Sequence, residues 1–286
     1  MYDLIGDIHG HADELTALLK QLGYELSQGT YRHPDRKVIF LGDFIDRGPK
    51  IQQVLEIVRS MVDGGHALSV MGNHELNALA FHTEDQASPG EYLRPRSSKN
   101  EKQHQATLMQ LSRRDMKSYL NWFRTLPFWL ELDGLRVIHA CWDASAISLI
   151  SDALQTYGGV TDNFLHAACR NEQELFEPTE ILLKGKEGML PEGINFQDKD
   201  GHVRTEIRTR WYLDPEGHTY RTYAFQADEV DCDHELDDSI VSAARPYSAD
   251  AKPLFLGHYW LSAERPHLLA TNVACLDFSV AKGGYL

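Results

Sequence analysis

Residues 42–48 read GDFIDRG and follow the apolar run Val38-Ile39-Phe40-Leu41. Two acids three positions apart, an arginine beside the second and a glycine at each end crowd charge against what reads as a buried strand. Such charge is costly to bury unless something compensates it. Gly and Asp are also ordinary turn residues, so a turn and a metal or phosphate site both stay open on this stretch alone.

Working outward, the same pattern recurs. Residues 2–6 read as a strand that runs into Gly6-Asp7-Ile8-His9-Gly10, and 67–71 as one that runs into Gly72-Asn73-His74-Glu75. A later apolar run ends at Ile138-His139-Ala140 and another at Leu256-Gly257-His258. Between the first three lie Leu15, Leu18, Leu19, Leu22 and then Ile51, Val54, Leu55, Val58, both at helical spacing. Strands alternating with amphipathic helices predict an α/β architecture with a largely parallel sheet in this half. Ligands at the carboxyl ends of parallel strands converge on one edge of a sheet. Five apolar runs each ending in Asp, Asn or His are hard to ascribe to turns. Mixed oxygen and imidazole donors suit Mn, Fe or Zn better than Ca or Mg. Their number exceeds the need of one ion, which points to two sharing a carboxylate.

The remaining chain is less regular. Residues 82–104 are polar and read as a loop or lid rather than core. Ser112 and Asp115 fit a capping box that opens a helix to about Thr125. Phe128–Leu132 and Leu135–Ala140 read as a hairpin about Asp133-Gly134. Residues 143–203 read as helical insertions, 204–213 as a strand, 226–250 as an acidic surface loop, and 253–257 and 272–278 as late strands. One domain over 1–286 is expected, with insertions at about 82–125 and 143–250.

The charge of −14, from 42 acids and 28 bases, disfavours an extended nucleic-acid footprint while allowing a local basic pocket. Cys141, Cys169, Cys232 and Cys275 are widely spaced and form no CxxC, so free thiols in a reducing cytoplasm are expected. MYDLIGDIHG lacks the look of a signal peptide, and no apolar run approaches a membrane span.

GDIHG, GDFIDRG and GNHE, in this order with a strand and a helix between each, resemble the calcineurin-like metallophosphoesterases, most closely their phosphoprotein-phosphatase branch. That branch includes protein Ser/Thr phosphatases and symmetrical diadenosine tetraphosphate hydrolases. The motif-bearing match covers residues 4–80, 126–142 and 252–286. The resemblance implies an αββα sandwich of two mixed sheets flanked by helices. It implies two divalent ions, Mn first with Fe or Zn as alternatives, and a metal-bridging hydroxide as nucleophile. Asp7 and His9 would bind the first ion, Asp43 would bridge, and Asn73, His139 and His258 would complete the second. His74 would be the general acid, oriented by Asp46. Arg47 and Asn73 would face the substrate phosphate, together with a second arginine, Arg208 in preference to Arg210.

The implied substrate is a nucleotide or other small phosphoester, with a phosphoprotein as the alternative and a non-catalytic metal-dependent binding module as a second one. Many relatives read Gly-His-x-His near the end, whereas this chain has Gly257-His258-Tyr259-Trp260, and Trp260 cannot bind metal. Leu276-Asp277 through Gly283-Gly284-Tyr285-Leu286 resembles a late strand and loop of the family, after which another strand usually follows; an open sheet edge or a shortened chain are the two expectations here. Glu75 reads as a capping or packing residue. His82 and His104 are among ten histidines outside the motifs that read as ordinary surface or loop residues. Trp122, Phe123, Phe128 and Trp129 read as core, and Tyr259 and Trp260 as pocket lining.

Overall fold

The computed structural model describes residues 1–197, 201–225, 227–262 and 266–286. Strand β1 (Tyr2–Ile5) leads into helix α1 (Ala12–Gln21), then a short hairpin of β2 (Glu25–Ser27) and β3 (Thr30–Arg32). Strand β4 (Lys37–Phe40), helix α2 (Ile51–Asp63), strand β5 (Ala67–Ser69) and helix α3 (Asn73–His82) follow. Helices α4 (Ser98–Gln110) and α5 (Arg113–Phe123) precede the hairpin of β6 (Trp129–Glu131) and β7 (Arg136–Ile138). Three helices come next, α6 (Ala144–Tyr157), α7 (Asp162–Cys169) and α8 (Phe176–Lys184). The accessory segment then carries β8 (Glu187–Met189), β9 (Phe196–Gln197), β10 (Val203–Arg204), β11 (Glu206–Arg208), α9 (Tyr220–Tyr223) and α10 (Asp238–Ala243). Strands β12 (Leu254–Leu256) and β13 (Val273–Cys275) complete the frame.

Two sheets pack face to face. The first has the order β1-β4-β5 and the second β13-β12-β7-β6. The alternation along β4 shows why: Val38 and Phe40 point into the large helix-side core, while Ile39 and Leu41 enter a smaller cluster with Val70 and Val137. Leu4, Leu68, Leu130, Phe255 and Leu276 pack on that inner layer. The opposite faces are covered by helices such as α2, whose Ile51, Val54, Leu55, Val58 and Met61 are all buried. These apolar positions recur at i, i+3, i+4 and i+7, so one stripe faces the sheet.

The expected two-sheet sandwich is present, with one correction: the first sheet is wholly parallel rather than mixed. Parallel pairing requires a long crossover, and each connection here contains a helix. The second sheet is mixed only through β6, which pairs antiparallel with β7. β13 lies at its edge among the described strands.

Other segments depart from expectation. The β2–β3 hairpin was not anticipated because all of β2 is exposed and shows no apolar alternation; it turns through Gln28 and Gly29, both with positive φ. Residues 98–104 belong to α4 rather than a lid, and Leu93 joins the core. The α4 face that is buried consists of His104 and Thr107, so no apolar stripe announces it. Of 204–213 only Glu206–Arg208 forms a strand with β8; Trp211 and Tyr212 are buried beyond it. The 226–250 stretch, whose residue 226 lies outside the described residues, is held by buried Val230, Cys232 and Leu236 in a satellite cluster with Tyr220 and Tyr223. Residues 198–200 of the larger insertion and 263–265 before β13 also lie outside the described residues. Among the described residues no helix is long and apolar enough to cross a membrane.

Asp143 caps α6, accepting from the N–H groups of Ser145 and Ala146 at 3.0 and 2.9 Å, and pairs with Lys186 at 2.7 Å. Burial acts to raise its pKa, but Lys186 and the two N–H groups lower it below the ordinary value. Its contribution is therefore complete above the unfolded carboxyl pKa of about 3.9 and lost as pH falls through the lower folded value. Asp143→Ala is expected to lower the unfolding free energy by about 1–2 kcal/mol at pH 7, and by less at acid pH. Urea denaturation at the two pH values measures both.

Candidate active site

The loops after β1, β4, β5, β7 and β12 meet at one end of the sandwich. The backbone ties the first two motifs together, since Ile8 and His9 donate N–H to the Asp43 carbonyl at 3.0 and 2.8 Å. Asp43 itself is at φ 53°, and His9, Asp46, Arg47, His258 and Trp260 also have positive φ. Such conformations cost of order 1–3 kcal/mol each in residues with a side chain, and cluster where a site over-determines the backbone. Gly72 is obligatory: a Cβ there would lie 2.2 Å from Asp43 Oδ1.

Asp43 is the hub. Its Oδ2 lies 3.6 Å from His9 Nε2, 3.5 Å from His139 Nε2 and 3.9 Å from His74 Nε2. Its Oδ1 accepts from the His74 backbone N–H at 3.0 Å, at the N-terminus of α3 where the helix dipole favours an anion. Beneath it, fully buried Glu75 accepts from the N–H groups of Asp43, Phe44 and Gly72 at 2.8, 2.9 and 3.0 Å. Glu75 is thus a brace, as its capping or packing reading anticipated. Burial and the Asp43 charge push its pKa up to about 7.

The imidazoles fall into distinct electrostatic states. His9 donates Nδ1–H to the Ile45 carbonyl at 2.9 Å, leaving buried Nε2 without a partner. Burial and His74 lower its pKa to about 3, so it is neutral with a lone pair turned toward Asp43. His139 donates Nδ1–H to Leu41 at 2.7 Å, and its Nε2 is 3.0 Å from Asn73 Oδ1. His258 Nδ1 approaches the same oxygen at 3.0 Å, and its buried Nε2 has no partner. Burial acts to lower the His139 pKa, but Asp43 and Asp7 lift it to about 10. Burial and then Arg208 hold that of His258 well below its ordinary value.

Asp7 accepts from the His258 N–H at 3.1 Å, and burial with neighbouring Asp277 raises its pKa well above the usual range. His9–Asp43–His74 and Asp7–Asp43–His139 each bring ligand atoms within 4.8 Å of one another and share Asp43. The site fits cations on three observations. Two buried imidazole nitrogens are orphaned. Buried carboxylates face each other. A neutral His139 would point a lone pair at the acceptor Asn73 Oδ1, a clash that a second proton or a cation resolves.

A second network lies beside the hub. His74 Nδ1 donates to Asp46 Oδ2 at 2.5 Å. The other Asp46 oxygen accepts from His104 Nδ1 at 2.8 Å and Thr107 Oγ1 at 2.6 Å. Against burial, His104 and His74 hold the Asp46 pKa low. Also against burial, Asp43 and Asp46 raise that of His74.

These groups open onto a cleft of about 180 Å³ with Asp43, Asn73, His74 and His258 at its base. Arg47, Arg94, Lys184 and Arg208 line it, along with Trp260. The Arg47 guanidinium lies 4.1 Å from the Trp260 ring centroid.

All expected site residues are therefore brought together, and Arg208 rather than Arg210 reaches the cleft. Two expectations are corrected. His104 is a buried partner of Asp46, not a surface residue. Tyr259 is packed away from the cleft, accepting from Trp211 Nε1 at 3.0 Å and stacked on Phe225 at 3.8 Å. Sequence reading missed His104, Thr107, Arg94 and Lys184, which stand outside any motif; the i, i+3 spacing of His104 and Thr107 was the available signal.

The model of the family described as calcineurin-like phosphoesterase matches residues 2–237. The chain belongs to that family. This calcineurin-like phosphoesterase is 47% identical over 74 residues to the asymmetrical bis(5'-nucleosyl)-tetraphosphatase PrpE of Halalkalibacterium halodurans, covering 26% of this chain and 30% of the relative. Over 73 residues it is 51% identical to the protein of that name from a Geobacillus species, covering 25% and 30%. It therefore spans about 30% of the length of these curated relatives. In fold it is similar to a cold-active protein-tyrosine phosphatase of a Shewanella species, with a TM-score of 0.56 at 19% identity, over 99% of this chain and 72% of the other.

Glu75→Gln turns one acceptor into a donor facing a buried N–H. It is expected to cost about 1–3 kcal/mol of stability, read by urea denaturation. A loss below about 0.5 kcal/mol would contradict the bracing role.

Proposed function

We propose that the chain hydrolyses phosphoric ester or anhydride bonds of nucleotide-type substrates, a dinucleoside polyphosphate in the first place, with two divalent ions of which Mn is the first choice. The observation that carries this reading is the Asp46–His74 pair, closed to 2.5 Å at the base of a cleft lined by arginines. Asp7, His9, Asp43, Asn73, His139 and His258 would hold the ions, with Asp43 between them. Bound there, the ions would supply Lewis acidity and bring the pKa of a water toward about 7.

The chain's own groups do the rest. Arg47 and Arg208 offer planar N–H forks to the phosphoryl oxygens, on which charge grows at the transition state. His74 gives its Nε2 proton to the departing oxygen as the bond from phosphorus breaks and water oxygen bonds to phosphorus. Asp46 receives Nδ1–H and stabilises the imidazolium before that transfer; His104 and Thr107 fix Asp46 in turn. The relatives' names, tetraphosphatases, favour a nucleotide over a phosphoprotein.

Hydrolysis of an aryl phosphate with added Mn, abolished by chelator and in Asp43→Asn, is the expected outcome; chelator-insensitive turnover would refute the reading. His74→Gln is expected to reduce kcat by about 10²–10⁴ on an ester with an alkyl leaving group, and by less with p-nitrophenolate, which departs without a proton. His104→Ala should fall in the same direction by about tenfold or less. Parallel assays on diadenosine tetraphosphate and a phosphopeptide separate the substrate classes.

A further inference from the structure

Arg94 reaches the cleft from the 83–97 loop, outside every sequence motif. The loop holds it firmly. Its backbone N–H donates to Ala80 at 3.0 Å, Leu93 N–H donates to Thr83 at 3.0 Å, and the Leu93 side chain is buried in the core. The guanidinium is aimed by two amides that also line the cleft: it donates to Asn77 Oδ1 at 2.8 Å and Gln103 Oε1 at 2.7 Å.

Those acceptors orient Arg94 without neutralising it. Lys184 at the same cleft is held by both Glu180 oxygens, at 2.5 and 2.6 Å. Among the described residues no carboxylate lies within ion-pair distance of Arg94. Two of its five N–H donors serve the amides, and among the described residues no hydrogen bond engages the other three. Glu180 and Asp46 act on Arg94 from beyond ion-pair distance and offset only part of the cost of its burial, which an arriving anion would reduce further. Burial accordingly lowers its pKa from the ordinary value.

Its position is specific. Asn77 lies three residues beyond His74 on α3, hence on the same helix face. Gln103 precedes His104, the partner of Asp46. Arg94 therefore lines the cleft beside the α3 face that carries His74, and a departing group protonated by His74 would come within its reach.

We infer that Arg94 binds a second phosphate, carried by the leaving group, and so selects phosphoanhydride chains over simple monoesters. This rests on the hydrolase reading above. In such a reaction the P–O bond to the neighbouring phosphate breaks, water supplies the new oxygen, and the released phosphate leaves with its negative charge against Arg94.

The test compares wild type, Arg94→Gln and Arg94→Lys with Mn present. For each, the ratio of kcat/KM on diadenosine tetraphosphate to that on p-nitrophenyl phosphate is measured. Arg94→Gln is expected to lower the ratio about tenfold or more, and Arg94→Lys to retain an intermediate value. An unchanged ratio, or equal loss in the two variants, overturns the assignment.

A second measurement does not need turnover. Isothermal titration with methylenediphosphonate and with inorganic phosphate is expected to show tighter binding of the diphosphonate by about tenfold in wild type, reduced to about threefold or less in Arg94→Gln. Absence of that preference in wild type, or its survival in Arg94→Gln, refutes the role. A wild type that turns over no phosphoester fails the hydrolase reading, while the titration still decides Arg94.

Discussion

The buried carboxylate of Asp43 is the constraint on which the rest depends. It sits at φ 53° on a turn that Gly72 alone can approach, at the N-terminus of α3, with Glu75 tying its backbone to that of Phe44 and Gly72. The turn carries Asp43 into the middle of His9, His74 and His139 while sending Asp46 the other way, to His74 and His104. Strain in the backbone is thus held in place by hydrogen bonds to a side chain that performs no visible chemistry itself.

The site divides its histidines by environment. His9 and His74 have ring centroids only 4.7 Å apart, yet their pKa values move in opposite directions. For His9 burial and the neighbouring His74 prevail, and the ring is held neutral. For His74 the carboxylates of Asp43 and Asp46 outweigh burial, so the protonated ring is favoured. One residue type takes opposite protonation preferences because the charges around each ring differ. The cations of the cleft differ in the same way: Lys184 is ion-paired with Glu180, whereas Arg94 is hydrogen-bonded to two neutral amides and feels Glu180 only from beyond ion-pair distance. A chain with net charge −14 thus places four cationic side chains, Arg47, Arg94, Lys184 and Arg208, around one cleft.

Much of this was legible in sequence. Each of the five candidate segments follows a short apolar run, so strand ends and donors were visible together, and the resemblance of GDFIDRG to the family motif implied that Asp43 and Asp46 face different partners. The helices α1 and α2 announced themselves by apolar residues at helical spacing. Where burial was polar, the signal failed. α4 buries His104 and Thr107, not leucines, and so looked like a solvated loop. Tyr259 stands next to a candidate ligand in sequence, but the positive φ of His258 and Trp260 turns the chain so that Tyr259 faces the core.

The amino-acid sequence by itself determined the alternating strands and helices of the parallel half and the donors at the strand ends, because those follow from local periodicity and adjacent residues, while the two-sheet frame was implied by the resemblance that GDIHG, GDFIDRG and GNHE carry. Only the tertiary structure decided what surrounds each donor: Glu75 beneath Asp43, His104 behind Asp46, Arg94 against Asn77 of α3. These contacts join residues tens of positions apart through polar side chains that carry no periodic pattern, and their partners are selected by packing, which no single stretch of chain records.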